Sequence, residues 1–159
     1  MKHVDVRLLL LSPILLFIVP FATSQTMRYE YAAKFICGVS DGKIIAPGSY
    51  STSINVHYPD TMTGKVVSFK KRFVVALPHE KPGVVSKFVI AQLSSDQAFE
   101  VDCADIREHL NAGPAFVDGF VVIESPVELD VVALYTATGA SKQVDAIHLD
   151  RVPARELFK

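Results

Sequence analysis

Apolar and polar residues alternate over short segments that end at Gly, Pro, Asp or Ser, a pattern typical of β-strands joined by turns. The alternation is clearest from Tyr50 to Tyr58, where Ile54 and Val56 share one face. One stretch, Asp105 to Asn111, has a helical pattern of about two turns. The other predicted strands are Tyr31–Val39, Ile44–Ile45, Val66–Leu77, Val85–Leu93, Ala98–Cys103, Phe116–Glu124, Leu129–Thr136 and Val144–Val152.

Eight or nine strands at short, regular spacing predict an all-β fold with one short helix. A parallel α/β architecture needs crossover helices between strands, and the sequence contains none. We therefore expect a single antiparallel β-sandwich, Ig-like or jelly-roll-like, over residues 25–153. Residues 154–159 are expected to form a loose polar C-terminal tail.

The first 24 residues have the three parts of a secretory signal peptide. Lys2 and Arg7 precede an apolar run from Leu8 to Ala22, and Ala22 and Ser24 are small residues at cleavage-site spacing. An uncleaved anchor is the alternative, but the run is shorter than the ~20 residues that span a bilayer as a helix. We expect cleavage after Ser24, a secreted or periplasmic protein, and no membrane span after cleavage.

Composition limits the function classes further. The chain has 159 residues, 50% of them hydrophobic, and its 16 basic residues are balanced by 17 acidic ones. This is enough material for one domain, and the absence of a basic surplus argues against nucleic-acid binding.

Two cysteines, Cys37 and Cys103, follow the leader. An oxidising compartment favours a disulfide between them. The alternative is two buried free thiols, which behave as small apolar residues. A zinc site is not expected, because neither CxxC nor HxxxH spacing accompanies them.

The segment Gly38–Gly42 matches the G-x-S-x-G pattern of hydrolase nucleophile elbows, with Ser40 at the nucleophile position. That mechanism requires a helix directly after the turn. The residues that follow contain Pro47-Gly48 and cannot form one. An Asp-Gly turn explains the same residues, so we assign no catalytic residue here.

Asp102, Asp105, Glu108 and His109 form an acidic cluster with one imidazole. Asp105 and His109 would share one helical face, a spacing compatible with a metal ligand pair or a weak binding site. The simpler interpretation is helix capping by Asp102 and Asp105, with His109 near the negative end of the helix dipole. We expect no metal and no cofactor.

The basic run Lys70, Lys71 and Arg72 lies inside a predicted strand. Lys70 and Arg72 should point to one face, and Lys71 to the other. Such a face can protect a sheet against edge pairing, or it can bind an anionic ligand. Lys70 and Arg72 are therefore weak binding candidates.

The segment from Phe116 to Tyr135, FVDGFVVIESPVELDVVALY, resembles uncharacterised exported bacterial β-sandwich proteins that carry the pattern FVxGFVVIESPxELDVVAxYT. The segments Tyr31–Gly42 and Asp150–Pro153 are similar to the opening and closing of the same group. This resemblance implies export and a sandwich fold, and no activity. The layout more loosely resembles the small β-sandwich transducer proteins associated with sensory rhodopsins.

Together these observations predict a non-enzymatic exported protein that acts through its surface, as an envelope interaction module or an assembly subunit. Its partner would be another protein or a second copy of itself. The alternative is a module that binds a small ligand or glycan through loops at one end of the sandwich. Its five tyrosines could supply a sugar-stacking surface, but the absence of Trp argues against a dedicated carbohydrate-binding module.

Overall fold

The computed structural model describes residues 26–60, 64–112, 115–139 and 143–158. In this part of the chain there are ten strands and one helix. The strands are Tyr29–Ser40 (β1), Gly48–His57 (β2), Val66–Leu77 (β3), Lys81–Val85 (β4), Val89–Ser94 (β5), Ala98–Asp102 (β6), Val117–Ser125 (β7), Asp130–Thr138 (β8), Val144–Arg151 (β9) and Arg155–Glu156 (β10), and the helix, α1, is Cys103–Leu110.

The strands form an antiparallel sandwich of two layers that share β1. In the first layer β3 pairs with β4 and β5 along one side and with β7 along the other. Strand β7 pairs in turn with β1, and the start of β1 pairs with β10. In the second layer β2 pairs with β6 on one side and with β8 on the other, and β9 follows β8. The predicted all-β class and its antiparallel pairing are confirmed.

Strand β1 passes from one layer to the other at Gly38. Up to Cys37 it pairs with β7, and from Gly38 onward it pairs with β2. Gly38 has φ +106, and a Cβ there would lie 2.5 Å from the Arg107 guanidinium and 2.7 Å from the Ala115 carbonyl oxygen. A residue with a side chain would therefore be strained at this corner.

One apolar core fills the space between the layers. Alternate residues of β1 and β3 point into it, and Tyr31, Phe35, Phe69 and Phe73 are among its fully buried side chains. The buried Tyr31 hydroxyl accepts a hydrogen bond from the Leu129 N–H at 2.7 Å, which links the core to the corner before β8. Burial of these large rings is the main contribution to the stability of the sandwich.

Several local predictions differ from the structure. Ile44–Ile45 lies in the loop between β1 and β2 and is not a strand. The predicted strand Val85–Leu93 is two strands, β4 and β5. The Ser86 N–H donates to the Phe73 carbonyl, but the Phe73 N–H donates to the Ser86 hydroxyl and not to a backbone carbonyl, so the regular ladder is interrupted there. The segment 154–159 is not simply a loose tail, since β10 pairs with the start of β1.

The predicted signal peptide, residues 1–24, lies outside the described residues. Within the described part of the chain, no helix is both long and apolar enough to cross a membrane.

Candidate functional site

Strand β9, at the free end of the second layer, is exposed along its whole length. All eight of its residues are exposed, including Ile147 at 67% and Leu149 at 64%. It pairs with β8 along one side, and among the described residues no strand pairs with its other side. We call this free side of Val144–Arg151 the β9 edge.

The backbone groups that β9 offers along its edge follow from its register. The Val152 N–H donates to the Val131 carbonyl at 2.9 Å, so these two residues form a hydrogen-bonded pair. Hydrogen-bonded and non-bonded pairs alternate in an antiparallel ladder. His148 therefore turns its N–H and C=O toward β8, whereas Ile147 and Leu149 turn theirs outward.

On the inner face of the second layer, Tyr135 of β8 contacts β9. The Tyr135 ring stacks on the His148 imidazole with ring centres 6.0 Å apart, and its hydroxyl donates to the Lys34 carbonyl at 3.1 Å. Burial raises the pKa of Tyr135 above its ordinary value, and the nearby Asp150 carboxylate adds to this effect. Tyr135 therefore fastens the β8–β9 hairpin to β1 as a neutral phenol.

A shallow hollow of about 340 Å³ lies on the outer face of the second layer, next to β9. Its three ionisable side chains, those of His57, Asp130 and Arg151, already form ion-pair contacts. His57 bridges the Asp96 carboxylate at 3.0 Å and the Asp130 carboxylate at 3.6 Å, and Arg151 also pairs with Asp130. An incoming ligand would have to compete with these contacts.

Two other strand edges, those of β1 and β4, have features that hinder pairing with a further strand. The Thr52 hydroxyl donates to the Ile36 carbonyl and accepts from the Ile36 N–H, which closes part of the open side of β1. Strand β4 carries Lys81 and Pro82, and both residue types discourage edge pairing. Within the regular part of β9, from Ala146 to Arg151, there is neither Lys nor Pro.

The weak candidates Lys70 and Arg72 lie on the outer face of the first layer, as their alternation predicts. Lys70 forms an ion pair with Glu124 at 2.8 Å, and its ammonium lies 4.2 Å from the centre of the Phe88 ring. The Arg72 guanidinium lies 4.6 Å from the centre of the same ring. Both cations thus contact the Phe88 ring, and the charge of Lys70 is already compensated by Glu124.

Lys71 points the other way, toward the interior. Its ammonium lies 4.7 Å from the centre of the Phe99 ring. Desolvation lowers the pKa of Lys71 below its ordinary value, against a smaller opposing effect of Asp105.

Asp105 and His109 are not brought together as a site. The Asp102 carboxylate accepts from the Asp105 N–H at 3.0 Å, and the Asp105 carboxylate accepts from the Asp102 N–H at 3.0 Å, so the predicted capping box is confirmed. The His109 ring stacks on Phe73 with centres 4.8 Å apart. Among the described residues, no cluster of three His, Cys, Asp or Glu side chains has metal-binding geometry.

Cys37 and Cys103 form a disulfide with their Cα atoms 5.6 Å apart, which joins β1 to the start of α1. Ser40 is 6% exposed, and its hydroxyl donates to the Ile45 carbonyl at 2.9 Å and accepts from the Gly42 N–H. The chain then enters β2 and not a helix. This geometry does not fit a nucleophile elbow.

The fold has a counterpart among solved structures. The chain is similar to the crystal structure of Thermotoga maritima 1070, with a TM-score of 0.51 and 10% sequence identity over 82% of this chain and 96% of that chain. At this identity the likeness shows the fold alone. No family model matches the chain, and neither does any curated protein.

Sequence reasoning did not single out Ile147, Leu149 or Arg151. The alternation of β9 predicted a strand with one buried face, as in any half-buried sheet. A signal was nevertheless present, because an alternating strand that contains neither Lys nor Pro is a poorly protected edge.

Proposed function

We propose that this chain is an exported, non-enzymatic interaction module or assembly subunit whose contact surface is the β9 edge. The observation that carries the proposal is the full exposure of an eight-residue strand that has branched apolar side chains and outward-facing backbone groups. A strand of this kind pairs readily with another chain, since main-chain hydrogen bonds supply affinity and side chains supply specificity.

Export is supported by the disulfide between Cys37 and Cys103. Disulfides persist in secreted and periplasmic proteins and are rare in the reducing cytosol. The disulfide and the expected signal peptide together support the proposed secreted or periplasmic location.

The proposal of a non-enzymatic role rests on how the reactive groups are used. Ser40 is engaged with backbone groups of its own loop, Asp102 and Asp105 cap α1, and His109 packs on an aromatic ring. Each has a structural role that accounts for its position.

A small-ligand or glycan site is the second candidate, and the hollow that includes His57, Asp130 and Arg151 favours it. Titration with a panel of neutral and acidic oligosaccharides, followed by backbone NMR shifts, tests it. Saturable shifts confined to Asn55, His57 and Val132 would support this candidate, and an unchanged spectrum at millimolar sugar would eliminate it.

A photo-crosslinking amino acid at position 149, in cells that export the protein, tests the proposed function. The same group at position 90 is the matched control, because Ile90 is also apolar and 73% exposed but lies on β5. We expect a discrete adduct from position 149 and not from position 90. No discrete adduct from position 149 would overturn the proposal.

A further inference from the structure

We propose that the partner strand at the β9 edge is β9 of a second copy of this chain, paired antiparallel about a two-fold axis through His148. The inference deepens the proposed function and rests on it. The axis is perpendicular to the sheet, so the second layers of the two copies would join into one continuous sheet.

The geometry of β9 permits only certain registers. A two-fold axis perpendicular to the sheet keeps each residue on its own face, so residues of one parity pair with residues of the same parity in the second copy. Ile147, Leu149 and Arg151 all turn their backbone groups to the edge, as the Val152 to Val131 bond establishes. An axis at His148 and an axis at Ile147 both satisfy this condition.

Side-chain complementarity selects the axis at His148. On the outer face Ile147 then lies opposite Leu149 of the second copy, and Asp145, at the bulge where the β8–β9 ladder shifts register, comes near its Arg151. The symmetry makes each of these contacts twice. Opposite charges and branched apolar pairs that face each other directly are the stabilising cross-strand combinations.

The axis at Ile147 gives a poorer match. It brings Asp145 near Leu149 of the second copy and Arg151 near its Gln143, so Asp145 and Arg151 do not meet across the interface. Charge complementarity, and not backbone geometry, therefore fixes the register.

The charged residues at the ends of β9 have donors and acceptors for a second contact. Asp145 accepts from the Gly139 N–H on Oδ2, at the bulge beside Thr138, and its Oδ1 remains as an acceptor. Arg151 pairs with Asp130 through one nitrogen of a guanidinium that has five N–H donors. Neither intramolecular bond has to break for the intermolecular pair to form.

Strand β5 is a second exposed strand, and it is less suited than β9 to pairing with a second copy. It exposes Ile90, and no other described strand pairs with its second side, but its six residues, Val89–Ser94, carry no charge. Self-pairing there would have no charged pair to set its register.

Sedimentation of the purified chain over a wide concentration range provides the first test. We expect a monomer–dimer equilibrium that Ile147→Lys weakens by roughly tenfold or more, because it puts a cation beside the second copy's Arg151. Ile90→Lys, the matched control, should leave the equilibrium unchanged. A strictly monomeric wild type, or a dimer that responds to Ile90→Lys and not to Ile147→Lys, would overturn the inference.

Charge exchange tests the ion pair itself. Arg151→Glu should weaken the dimer by roughly tenfold, and adding Asp145→Arg to that variant should recover most of the loss. Both variants lack the Arg151–Asp130 pair, so its loss does not affect their comparison; the variant Asp145→Arg alone controls for loss of the Asp145–Gly139 hydrogen bond. No recovery in the double variant would refute the pairing of Asp145 with Arg151.

Single-cysteine crosslinking tests the register. Both native cysteines are already joined, so an introduced cysteine is the one free thiol. His148→Cys should form a disulfide dimer on mild oxidation, whereas Ile147→Cys should do so much less. Preferential crosslinking through position 147 would refute the axis at His148.

The two proposals fail in different ways. If position 149 crosslinks to a different protein in cells while the purified chain stays monomeric, the interaction function stands and the second copy is wrong as its partner. If position 149 gives no adduct and the purified chain is monomeric, both proposals fail.

Discussion

Removal of the disulfide should lower the free energy of unfolding by about 4 kcal/mol. The bond joins residues 66 positions apart, and the chain-entropy model assigns about 4 kcal/mol to a loop of this length. The native layers are also held by the core and by the pairing of β1 with β2 and β7. The main effect of the bond is therefore to restrict the unfolded chain.

Urea unfolding of the oxidised protein, of protein reduced after unfolding, and of the variant Cys37→Ala/Cys103→Ala measures this effect. With a urea m-value of about 2 kcal/mol/M, the expected shift in midpoint is about 2 M. The reduced wild type keeps both sulfur atoms, so its difference from the double variant reports the packing of Cys37, which is fully buried.

A loss below about 1 kcal/mol in the reduced protein would refute the entropy argument. It would mean that the unfolded chain already holds β1 near α1 without the bond. The m-value depends on the surface that unfolding exposes. It should be the same for the oxidised and reduced proteins only if their denatured ensembles are equally expanded.

Three further perturbations separate other contributions. Asp102→Ala should cost about 1 kcal/mol of unfolding free energy through loss of the N-cap of α1, and Asp102→Asn, which keeps a capping oxygen, should cost less. Tyr31→Phe should cost about 1–3 kcal/mol in urea unfolding, because it leaves the Leu129 N–H buried without its acceptor; an unchanged midpoint would contradict this. Lys71→Met should raise stability relative to wild type at pH 7, since burial lowers the pKa of this lysine. Between that lowered pKa and 10.5 the unfolded chain binds more protons than the native protein, so the stability of the wild type rises with pH in this range. The stability advantage of Lys71→Met should therefore shrink as the pH rises. A difference in unfolding free energy that stays constant with pH would contradict the burial argument.

Much of the fold could be predicted because local physics and tertiary packing agree in most of the chain. The bounds of β3 were predicted to the residue, since Pro78 ends a run rich in Val and Phe. The capping box at α1 was also predictable, because Asp102 and Asp105 need only their own backbone to form it. Confirmation of the Cys37–Cys103 bond needed the fold, which brings the two residues together.

The rest depended on contacts between distant segments. The sharing of β1 between layers could not be inferred from its sequence, because Gly38 lies inside the predicted strand Tyr31–Val39 and its role comes from the approach of Arg107 and Ala115. The pairing of β10 was likewise hidden, since only two residues take part and β1 supplies the partner.

The exposure of β9 was the most consequential feature that the sequence did not predict, and amide exchange gives it a sharp test. In the monomer, the N–H groups of Ile147 and Leu149 point away from β8 and should exchange quickly, whereas that of His148 donates within the hairpin and should be protected. Raising the concentration through the dimerisation range should protect the amides of Ile147 and Leu149 and change that of His148 little. The amide of Ile90, on β5, serves as the control and should not respond. Equal exchange along the whole strand would contradict the register, and protection that does not depend on concentration would contradict a second copy as the source of the missing hydrogen bonds.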